Sequence, residues 1–269
     1  MVPVLSDKEF TGFSRMIFDQ AGIHMNPSKK PLVSGRLTKR LNHHGLESYG
    51  DYLNLINTDG AERQIAIDLL TTNETYFFRE PKHFEFLAQV IAPELRNRPN
   101  VRIWCGASST GEEPYTIAMT LAESLGHMRF DILASDISTR VLETARKALY
   151  PIEDAKDIPR EMRIKHCLRG VGPQEGWFLV DKHLRDRVQF EQINLNGQLP
   201  EMGPFDVIFL RNVMIYFSPE TKSQLLPKLS QFLRPGGYFL ISHSESLHGV
   251  TNQLQMVKPS IYRKPENTT

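Results

Sequence analysis

The sequence predicts an α/β protein in which a small all-helical N-terminal domain precedes a doubly wound parallel sheet with a small antiparallel β insertion. From residue 101 onward, short apolar strands alternate with amphipathic helices, a pattern typical of a parallel sheet covered on both faces. Before that point, apolar residues recur at helical spacing. A chain of 269 residues is at the size where chains begin to divide, and we expect two domains, at residues 1–75 and 76–269.

Four helices are predicted in the N-terminal domain. Ser6 and Glu9 form a capping box at the start of the first helix, which ends at Gly22. The other three are predicted at residues 31–44, 48–56 and 61–70. Together they predict a small helical domain.

Five strands and three helices are predicted in the second domain. The strands lie at residues 101–104, 130–134, 188–192, 205–210 and 238–242. The helices are expected at residues 114–125, 139–149 and from 218 onward. Pro227 is expected to kink or shorten the third helix. Residues 151–187 are too many for a plain loop, and a Gly-rich turn followed by an alternating strand predicts a small antiparallel insertion there, at about residues 163–184.

Composition and charge exclude several classes of protein. The formal net charge of +1 argues against bulk electrostatic capture of nucleic acid, and we expect no nucleic-acid partner. Cys105 and Cys167 give neither a disulfide framework nor metal-ligand spacing, so we expect a reducing compartment and no metal. The sequence shows no signal peptide, and no apolar run approaches the ~18 residues of a membrane span. We therefore expect a soluble, cytoplasmic protein without direct membrane insertion. Separately, we expect a monomer.

The most informative segment is the turn after the first predicted strand. Gly106 and Gly111 have the GxxxxG spacing of a phosphate-binding loop. Glu112 and Glu113 follow, where such a loop has a lysine and a hydroxyl residue. Since a helix N-terminus favours anions, these carboxylates already occupy its positive end and would repel a pyrophosphate. The expected ligand is a nucleoside with positive charge or free hydroxyls, and S-adenosylmethionine (SAM), with a sulfonium, an ammonium and a ribose diol, fits that description.

Further candidate site residues follow the other strands, because a doubly wound sheet binds its ligand at the carboxyl ends of the strands. Asp136 ends the second strand and is the candidate for the ribose diol; alternatively, it caps the helix that begins near residue 138. Asn194 and Leu195 end the third strand and suit an adenine edge and face. Arg211 and Asn212 end the fourth, where a charged side chain is hard to explain as core. An ordinary surface loop remains the alternative at either of these last two sites.

The segment at residues 73–80 joins the two domains and combines polar side chains with phenylalanines. Arg79 is its candidate functional residue, since a planar guanidinium matches a carboxylate bidentately. A hinge anchored by Phe77 and Phe78 is the alternative.

Five motifs stand in order along the chain: NETYFFRE, WCGASSTGEEPY, ASDIS, INL and FLRNVMIYF. Together, and at these separations, they resemble the CheR-type chemotaxis receptor glutamate methyltransferases, and the resemblance covers nearly the whole chain. It implies a Rossmann-like SAM-methyltransferase domain that methylates glutamate side chains on the cytoplasmic helical bundle of chemoreceptors. The products it implies are glutamyl methyl esters and S-adenosylhomocysteine (SAH).

The resemblance also implies roles for individual residues. The positions that match the family's cofactor-binding residues are Asn73, Thr75, Arg79, Glu113, Asp136, Asn194, Leu195, Arg211 and Asn212. Arg79 and Tyr216 match residues that face the transferred methyl, which makes them the candidate catalytic pair. Of the two adjacent glutamates, Glu113 is expected to face the cofactor and Glu112 to be a helix-start residue.

Two surfaces are candidates for contact with the receptor. The basic face of the second helix, formed by Arg36, Lys39 and Arg40, is a candidate dock for acidic receptor helices; a solvated helix face is the alternative. The insertion around residues 170–180 resembles a subdomain that, in some family members, pairs with a peptide at the receptor's C-terminus by strand addition. A receptor C-terminal peptide is therefore a candidate partner of the insertion.

Two other functions compete with this interpretation. The basic helix would also suit a SAM-dependent methyltransferase acting on nucleic acid, but the chain lacks the NPPY-like motif of amino-directed base methyltransferases. The second competitor is a SAM-binding scaffold or sensor without catalysis. The presence of Arg79 and Tyr216 disfavours it.

Overall fold

Four helices form the N-terminal domain in the computed structural model, which describes residues 3–126 and 129–266. They are α1 (Asp7–Ala21), α2 (Lys30–His44), α3 (Tyr49–Thr58) and α4 (Gly60–Leu70). The capping box is present at Ser6 and Glu9, and Gly22 ends α1 in the left-handed conformation, with a φ of 70°. The predicted helical domain is confirmed. Across the described residues, no helix is long and apolar enough to cross a lipid bilayer.

The core of this domain is built from the apolar faces of its helices. Phe13, Ile17, Leu37, Tyr49 and Tyr52 are fully buried. Phe13 packs edge-on against Tyr49, with ring centroids 6.3 Å apart. Burial of one large apolar side chain contributes about 1.5 to 3 kcal/mol, so tertiary packing holds these short helices together.

A buried carboxylate cross-links α2, α3 and α4. Glu62 accepts hydrogen bonds from Nε and a terminal nitrogen of Arg40, at 2.8 and 2.6 Å, and from the Tyr52 hydroxyl at 2.7 Å. Burial opposes ionisation of Glu62, but these donors and His44 outweigh it and lower the pKa of Glu62 to about 2. The ion pair therefore persists at neutral pH, and Arg40 has a structural role within the domain.

A further helical segment leads from the linker to the sheet. The sequence patterns did not predict it as separate helices. It consists of α5 (Lys82–Phe86), a π-helical turn (Leu87–Ile91) and α6 (Ala92–Leu95). Its residues Phe84, Leu87 and Ile91 are buried in the same apolar cluster as one face of the sheet. The segment therefore anchors the linker at residues 73–80 beside the sheet.

The second domain contains one large and one small sheet. Their strands are β1 (Val101–Gly106), β2 (Phe130–Asp136), β3 (Leu149–Pro151), β4 (Cys167–Arg169), β5 (Trp177–Val180), β6 (Val188–Gln192), β7 (Phe205–Leu210), β8 (Leu233–Leu240), β9 (Gln255–Lys258) and β10 (Ile261–Arg263). The large sheet has the order β6-β2-β1-β7-β8-β10-β9. Its first five strands in that order run parallel, and β10 lies antiparallel to both β8 and β9. The predicted parallel sheet is confirmed, and the hairpin of β9 and β10 adds an antiparallel edge to it.

Apolar clusters cover both faces of this sheet. Ile103 and Cys105 of β1 belong to one cluster, and Trp104 between them belongs to another. The helices of the domain are α7 (Glu112–Leu125), α8 (Thr139–Lys147), α9 (Arg160–His166), α10 (Lys182–Arg185) and α11 (Pro219–Gln231). Helix α11 continues for four residues beyond Pro227, so the proline does not shorten it.

The register of the central strands sets the position of the site. Gly106 at the end of β1 lies opposite Ser135 of β2 and Leu210 of β7. The carboxyl ends of β1, β2 and β7 therefore lie side by side. The loops after these strands carry the polar residues that the sequence singled out.

The insertion is the small sheet, in the order β3-β5-β4, with both pairings antiparallel. Its first strand begins at Leu149, where the sequence predicted the end of a helix; helix α8 ends at Lys147. The predicted antiparallel insertion is confirmed, and its sheet starts earlier in the chain than residue 163. The early start was hidden because β3 has three residues and directly follows a helix.

Candidate active site

The loop after β1 has an unusual backbone. Ala107 and Ser109 have φ angles of 58° and 49°, and Gly111 has a φ of 100°. A Cβ at Gly111 would lie 2.7 Å from the Tyr150 hydroxyl oxygen and 2.9 Å from Cβ of Ala145. Glycine is therefore required at this position, where the loop enters α7.

The two glutamates at the start of α7 point to different partners. Glu113 lines a cleft at the carboxyl ends of the strands. Its Oε1 accepts the thiol hydrogen of Cys105, at a distance of 3.2 Å from Sγ. Glu112 is buried and accepts the Thr110 hydroxyl at 2.7 and 2.9 Å, and burial raises the pKa of Glu112. The geometry thus separates Glu113, which faces the cleft, from Glu112, which braces the loop.

Asp136 ties the loops after β1 and β2 together. Its Oδ2 accepts the main-chain N–H of Ser109 and its Oδ1 that of Ser138, both at 2.9 Å. The N-cap of α8 is Ser138 itself. Burial raises the pKa of Asp136, while these N–H donors lower it, and the net direction is upward. Because a carboxylate offers about four lone-pair sites, Asp136 can also accept hydrogen bonds from a ligand.

Arg211 lies at the centre of the site with a fully buried side chain. Its two terminal nitrogens contact three groups: Oε2 of Glu113 at 2.5 Å, Oε2 of Glu80 at 3.2 Å and the main-chain oxygen of Arg79 at 2.5 Å. Its Nε is buried without a hydrogen-bond partner. Arg211 therefore joins the loop after β7 to the start of α7 and to the linker.

The linker contributes Arg79 to the cleft. One terminal nitrogen of Arg79 donates to the main-chain oxygen of Glu74 at 2.8 Å, and its guanidinium carbon lies 5.6 Å from the Tyr76 ring centroid. The main-chain oxygen of Asn73 accepts the hydroxyl of Ser109 at 2.8 Å. The linker is thus attached to the loop after β1 as well as to Arg211.

Most of the predicted site residues line a single cleft. Those that line it are Asn73, Thr75, Arg79, Glu113, Asp136, Arg211, Asn212 and Tyr216. Ile23, Thr71, Ile137 and Val213 also line it and were missed by sequence reasoning. Ile23 reaches the cleft through a β-bridge to Phe217, a contact between distant parts of the chain that no local pattern reports.

Asn194 and Leu195 lie outside this lining. The Asn194 side chain donates to the main-chain oxygen of Gln20 at 2.6 Å and accepts the N–H of Asn196 at 3.0 Å. Leu195 is buried in the apolar cluster that contains Trp104. In this structure both residues therefore have structural contacts, and their roles at the adenine stay predictions.

The cavity volume of the cleft is about 100 Å³. Ligand pockets usually measure about 300 to 1,000 Å³, so a bound nucleoside requires the cleft to widen. A larger cavity of about 660 Å³ runs along the edge strand β6, from Val188 to Gln192 and Ile193, and includes no residue of the loops after β1, β2 and β7. Doubly wound sheets bind ligands where the loops after the central strands meet, so the smaller cleft is the candidate active site.

The residues of the cleft fit a cationic nucleoside. Oγ of Ser108 and Nε of Arg211 are buried polar atoms without a partner, and both residues line the cleft. Buried polar groups are normally paired, so a polar ligand would satisfy atoms that the protein leaves open. The Glu113 and Asp136 carboxylates suit ammonium and hydroxyl groups and disfavour phosphates.

The basic face of α2 is partly occupied by internal contacts. Arg36 donates to the main-chain oxygens of Leu70 and Thr71, at 3.3 and 2.9 Å, and Arg40 pairs with Glu62. Burial, followed by the charge of Arg140, lowers the pKa of Arg36. Lys39 is exposed. The docking role of this face stays a prediction, and Lys39 is the residue that tests it without breaking a structural contact that we identify.

Glu80, His83 and His243 place potential metal-ligand atoms within 4.8 Å of one another, the one such group found in residues 3–126 and 129–266. Oε2 of Glu80 already contacts Arg211 and the main-chain N–H of His243, both at 3.2 Å. An arginine cation at that oxygen disfavours a second cation. The expectation of no metal stays a prediction.

Comparison with known protein families gives two matches that together span most of the chain. Residues 8–71 match the family described as "CheR methyltransferase, all-alpha domain". Residues 73–263 match "CheR methyltransferase, SAM binding domain". The division between the two matches falls at the end of α4, where the linker begins.

Curated relatives are similar over nearly their whole length. A "Chemotaxis protein methyltransferase" of Escherichia coli (strain K12) is 41% identical over 263 residues, which cover 96% of this chain and 91% of the relative. A protein of the same description from Salmonella typhimurium is 39% identical over 263 residues, covering 96% and 90%. "Chemotaxis protein methyltransferase 2" of Pseudomonas aeruginosa is 40% identical over 273 residues, covering 97% and 96%.

Proposed function

Because the chain belongs to the CheR family of SAM-dependent methyltransferases, we propose that it transfers the methyl group of SAM to glutamate side chains of chemoreceptors. The products are glutamyl methyl esters, which serve sensory adaptation, and SAH. The observation that carries the proposal is the cleft itself. Glu113, Asp136 and Arg211 line it beside the carboxyl ends of the central strands, together with Arg79 and Tyr216, and this supports the proposal.

The cofactor would be held by residues of three loops and the linker. They are Asn73, Thr75, Arg79, Glu113, Asp136, Arg211 and Asn212. Asp136 is proposed to accept the ribose hydroxyls, with Asn194 and Leu195 at the adenine. The bound cofactor supplies an electrophilic methyl group on its sulfonium.

The acceptor needs little activation by the protein. A glutamate with a pKa near ~4.3 is already an anion at pH 7, so no general base is required. The protein must desolvate this carboxylate and align it with the methyl group, and positioning of that kind supplies about 7 to 11 kcal/mol. Arg79 is proposed to bind the carboxylate through its planar guanidinium, and Tyr216 to orient it through its hydroxyl.

Substitution Tyr216→Phe is expected to lower kcat by about 10- to 100-fold, because a hydrogen bond to a charged group contributes about 1.5 to 3 kcal/mol. The affinity for SAM should stay within about threefold of wild type, since the ring remains in place. Steady-state kinetics and calorimetry measure the two effects. Tyr76→Phe is the matched control, because Tyr76 is exposed beside Arg79 and has no proposed catalytic role. Equal turnover in Tyr216→Phe and wild type would remove Tyr216 from the mechanism.

Substitution Lys39→Glu is expected to lower kcat/KM for the receptor by about 3- to 10-fold at low salt, because docking on this face relies on charge complementarity. The defect should shrink between about 0.01 and 0.15 M salt, as the Debye length falls from about 30 to about 8 Å. Lys228→Glu, an exposed position on α11, is the control with the same change of charge. A Lys39 variant with the wild-type kcat/KM at low salt would contradict docking on α2.

The insertion is the proposed site for a receptor C-terminal peptide. β4 is an edge strand of the small sheet, and such a strand can pair with an added peptide. The exposed apolar side chains of Leu168, Val171 and Trp177 lie in or beside this sheet. They offer apolar contacts to a peptide that pairs with β4.

Radiolabelled SAM tests the proposal against its two alternatives. Transfer of label to receptor-enriched membranes, with release of the label in mild base, is expected for a glutamyl ester. Label on nucleic acid would instead indicate a nucleic-acid methyltransferase. SAM binding without transfer to either substrate would indicate a scaffold or sensor.

A further inference from the structure

Strained backbone is concentrated around the candidate active site. Of the seven non-glycine residues with positive φ in the described part of the chain, five lie in or next to segments that line the cleft. These five are Phe78, Glu80, Ala107, Ser109 and Asn212. Such conformations persist only where the surrounding structure holds them, and they cluster at functional sites.

Two of the five residues flank Arg79. Phe78 has a φ of 55° and Glu80 a φ of 60°. The turn at residues 78–80 therefore sets the direction in which Arg79 leaves the main chain. Without specific contacts, phenylalanine and glutamate would relax out of the left-handed region.

Each residue of this turn has its own contact. The N–H of Phe78 donates to the Thr116 hydroxyl at 3.2 Å. The main-chain oxygen of Arg79 accepts from Arg211 at 2.5 Å. Arg211 itself is oriented by two carboxylates, Glu113 on the cofactor side and Glu80 on the other.

The Glu80 carboxylate receives more contacts than a simple ion pair. Its Oε2 lies 3.2 Å from a terminal nitrogen of Arg211 and accepts the main-chain N–H of His243, also at 3.2 Å. The same oxygen lies 3.4 Å from Nδ1 of His83. Burial and the nearby Arg211 charge lower the pKa of His83 to about 3, so His83 is neutral at pH 7. Arg211 is therefore the cation in contact with Glu80.

We propose that Glu80 is a positioning residue for Arg79. Its carboxylate fixes the guanidinium of Arg211, and Arg211 then holds the main-chain oxygen of Arg79 in the strained turn. Glu80 itself is not among the residues that line the cleft, so it acts through Arg211 and not on a ligand. The role of Arg79 at the acceptor carboxylate rests on the proposed function.

The test substitution is Glu80→Gln, which keeps the shape of the side chain and removes its charge. Expected is a fall in kcat of about 10- to 100-fold, the size that a small misplacement of a reacting group produces. The dissociation constant for SAH is expected to stay within about threefold, because Glu113 still contacts Arg211. Glu85→Gln is the matched control, since Glu85 is exposed and carries the same charge five positions away. Its kcat is expected to equal that of wild type.

Hydrogen exchange gives a second readout that needs no methyl acceptor. In Glu80→Gln, the amide of Phe78 and its neighbours should exchange faster than in wild type and in Glu85→Gln. If the wild-type protein methylates receptors, an unchanged kcat, or a loss of kcat matched by an equal loss of SAH affinity, overturns the proposal. If the wild-type protein transfers no methyl group, the proposed function fails. In that case hydrogen exchange at residues 78–80 still tests whether Glu80 holds the turn. An exchange rate in Glu80→Gln equal to that of wild type overturns the role of Glu80.

Discussion

Substitution Arg211→Met is expected to abolish methyl transfer and to lower the free energy of unfolding by about 3 to 5 kcal/mol. The Arg211 side chain has no exposed surface, and the side chains of its partners Glu113 and Glu80 are also mostly buried, with exposed fractions of 13% and 17%. Methionine fills the space but leaves both carboxylates without their cation, and removal of one partner of a buried pair leaves an uncompensated charge. The same substitution releases the main-chain oxygen of Arg79.

A methyl-transfer assay and denaturant unfolding measure the two effects of this substitution, and SAH calorimetry reports whether the cofactor product still binds. Arg234→Met is the control, because Arg234 contacts the buried Asp206 at 3.0 Å in a part of the sheet that does not line the cleft. The control is expected to lose stability but to retain SAH affinity and turnover. An Arg211→Met protein with wild-type turnover would show that the central ion pair is not part of the active site.

Substitution Asp136→Ala is expected to raise the dissociation constant for SAM by about 30- to 150-fold, which corresponds to about 2 to 3 kcal/mol. The carboxylate is the proposed acceptor for the ribose hydroxyls. It also holds the N–H groups of Ser109 and Ser138, so its loss loosens the loops after β1 and β2. Both effects weaken SAM binding, and kcat at saturating SAM should change less.

Calorimetry with SAM and with SAH measures this loss directly. Asp131→Ala is the matched control, since Asp131 is an exposed residue of the same strand and does not line the cleft. Its affinity for SAM should equal that of wild type. Unchanged SAM affinity in Asp136→Ala would remove the ribose assignment.

The sequence was most informative where local patterns determine structure. Alternation of apolar strands with amphipathic helices predicted the parallel sheet, since strands buried on both faces consist of short apolar runs. The position of Asp136 and Arg211 directly after two strands was sufficient to predict that they lie together. Strands β2 and β7 both neighbour β1, so their carboxyl ends meet in one cleft.

Contacts between distant parts of the chain were beyond local patterns. The sequence offered Arg36, Lys39 and Arg40 as one basic face, but only packing against α4 and the residue after it shows that Arg36 and Arg40 have internal acceptors. Ile23 reaches the cleft through a bridge to a loop almost two hundred residues later. The arginine contacts depend on how helices pack within the N-terminal domain, and the Ile23 bridge depends on how the two domains pack. Hydrophobic periodicity encodes neither.

The backbone of the cleft was also unpredictable from residue types. Phe78 and Glu80 have no intrinsic preference for positive φ, so the strained turn around Arg79 arises from tertiary contacts. The proposed role of Glu80 in positioning Arg79 follows from the conformation of that turn. In the sequence, it is only the last letter of the NETYFFRE motif.

Mass spectrometry of a purified chemoreceptor cytoplasmic fragment, incubated with the protein and SAM, is the most direct test of the proposed reaction. Specific receptor peptides are expected to gain the mass of one methylene group on glutamate side chains. This added mass should be lost in mild base and should be absent when Arg211→Met replaces the wild-type protein. No mass gain with folded protein that binds SAM, or a gain on another residue type that survives base, would contradict the proposed reaction.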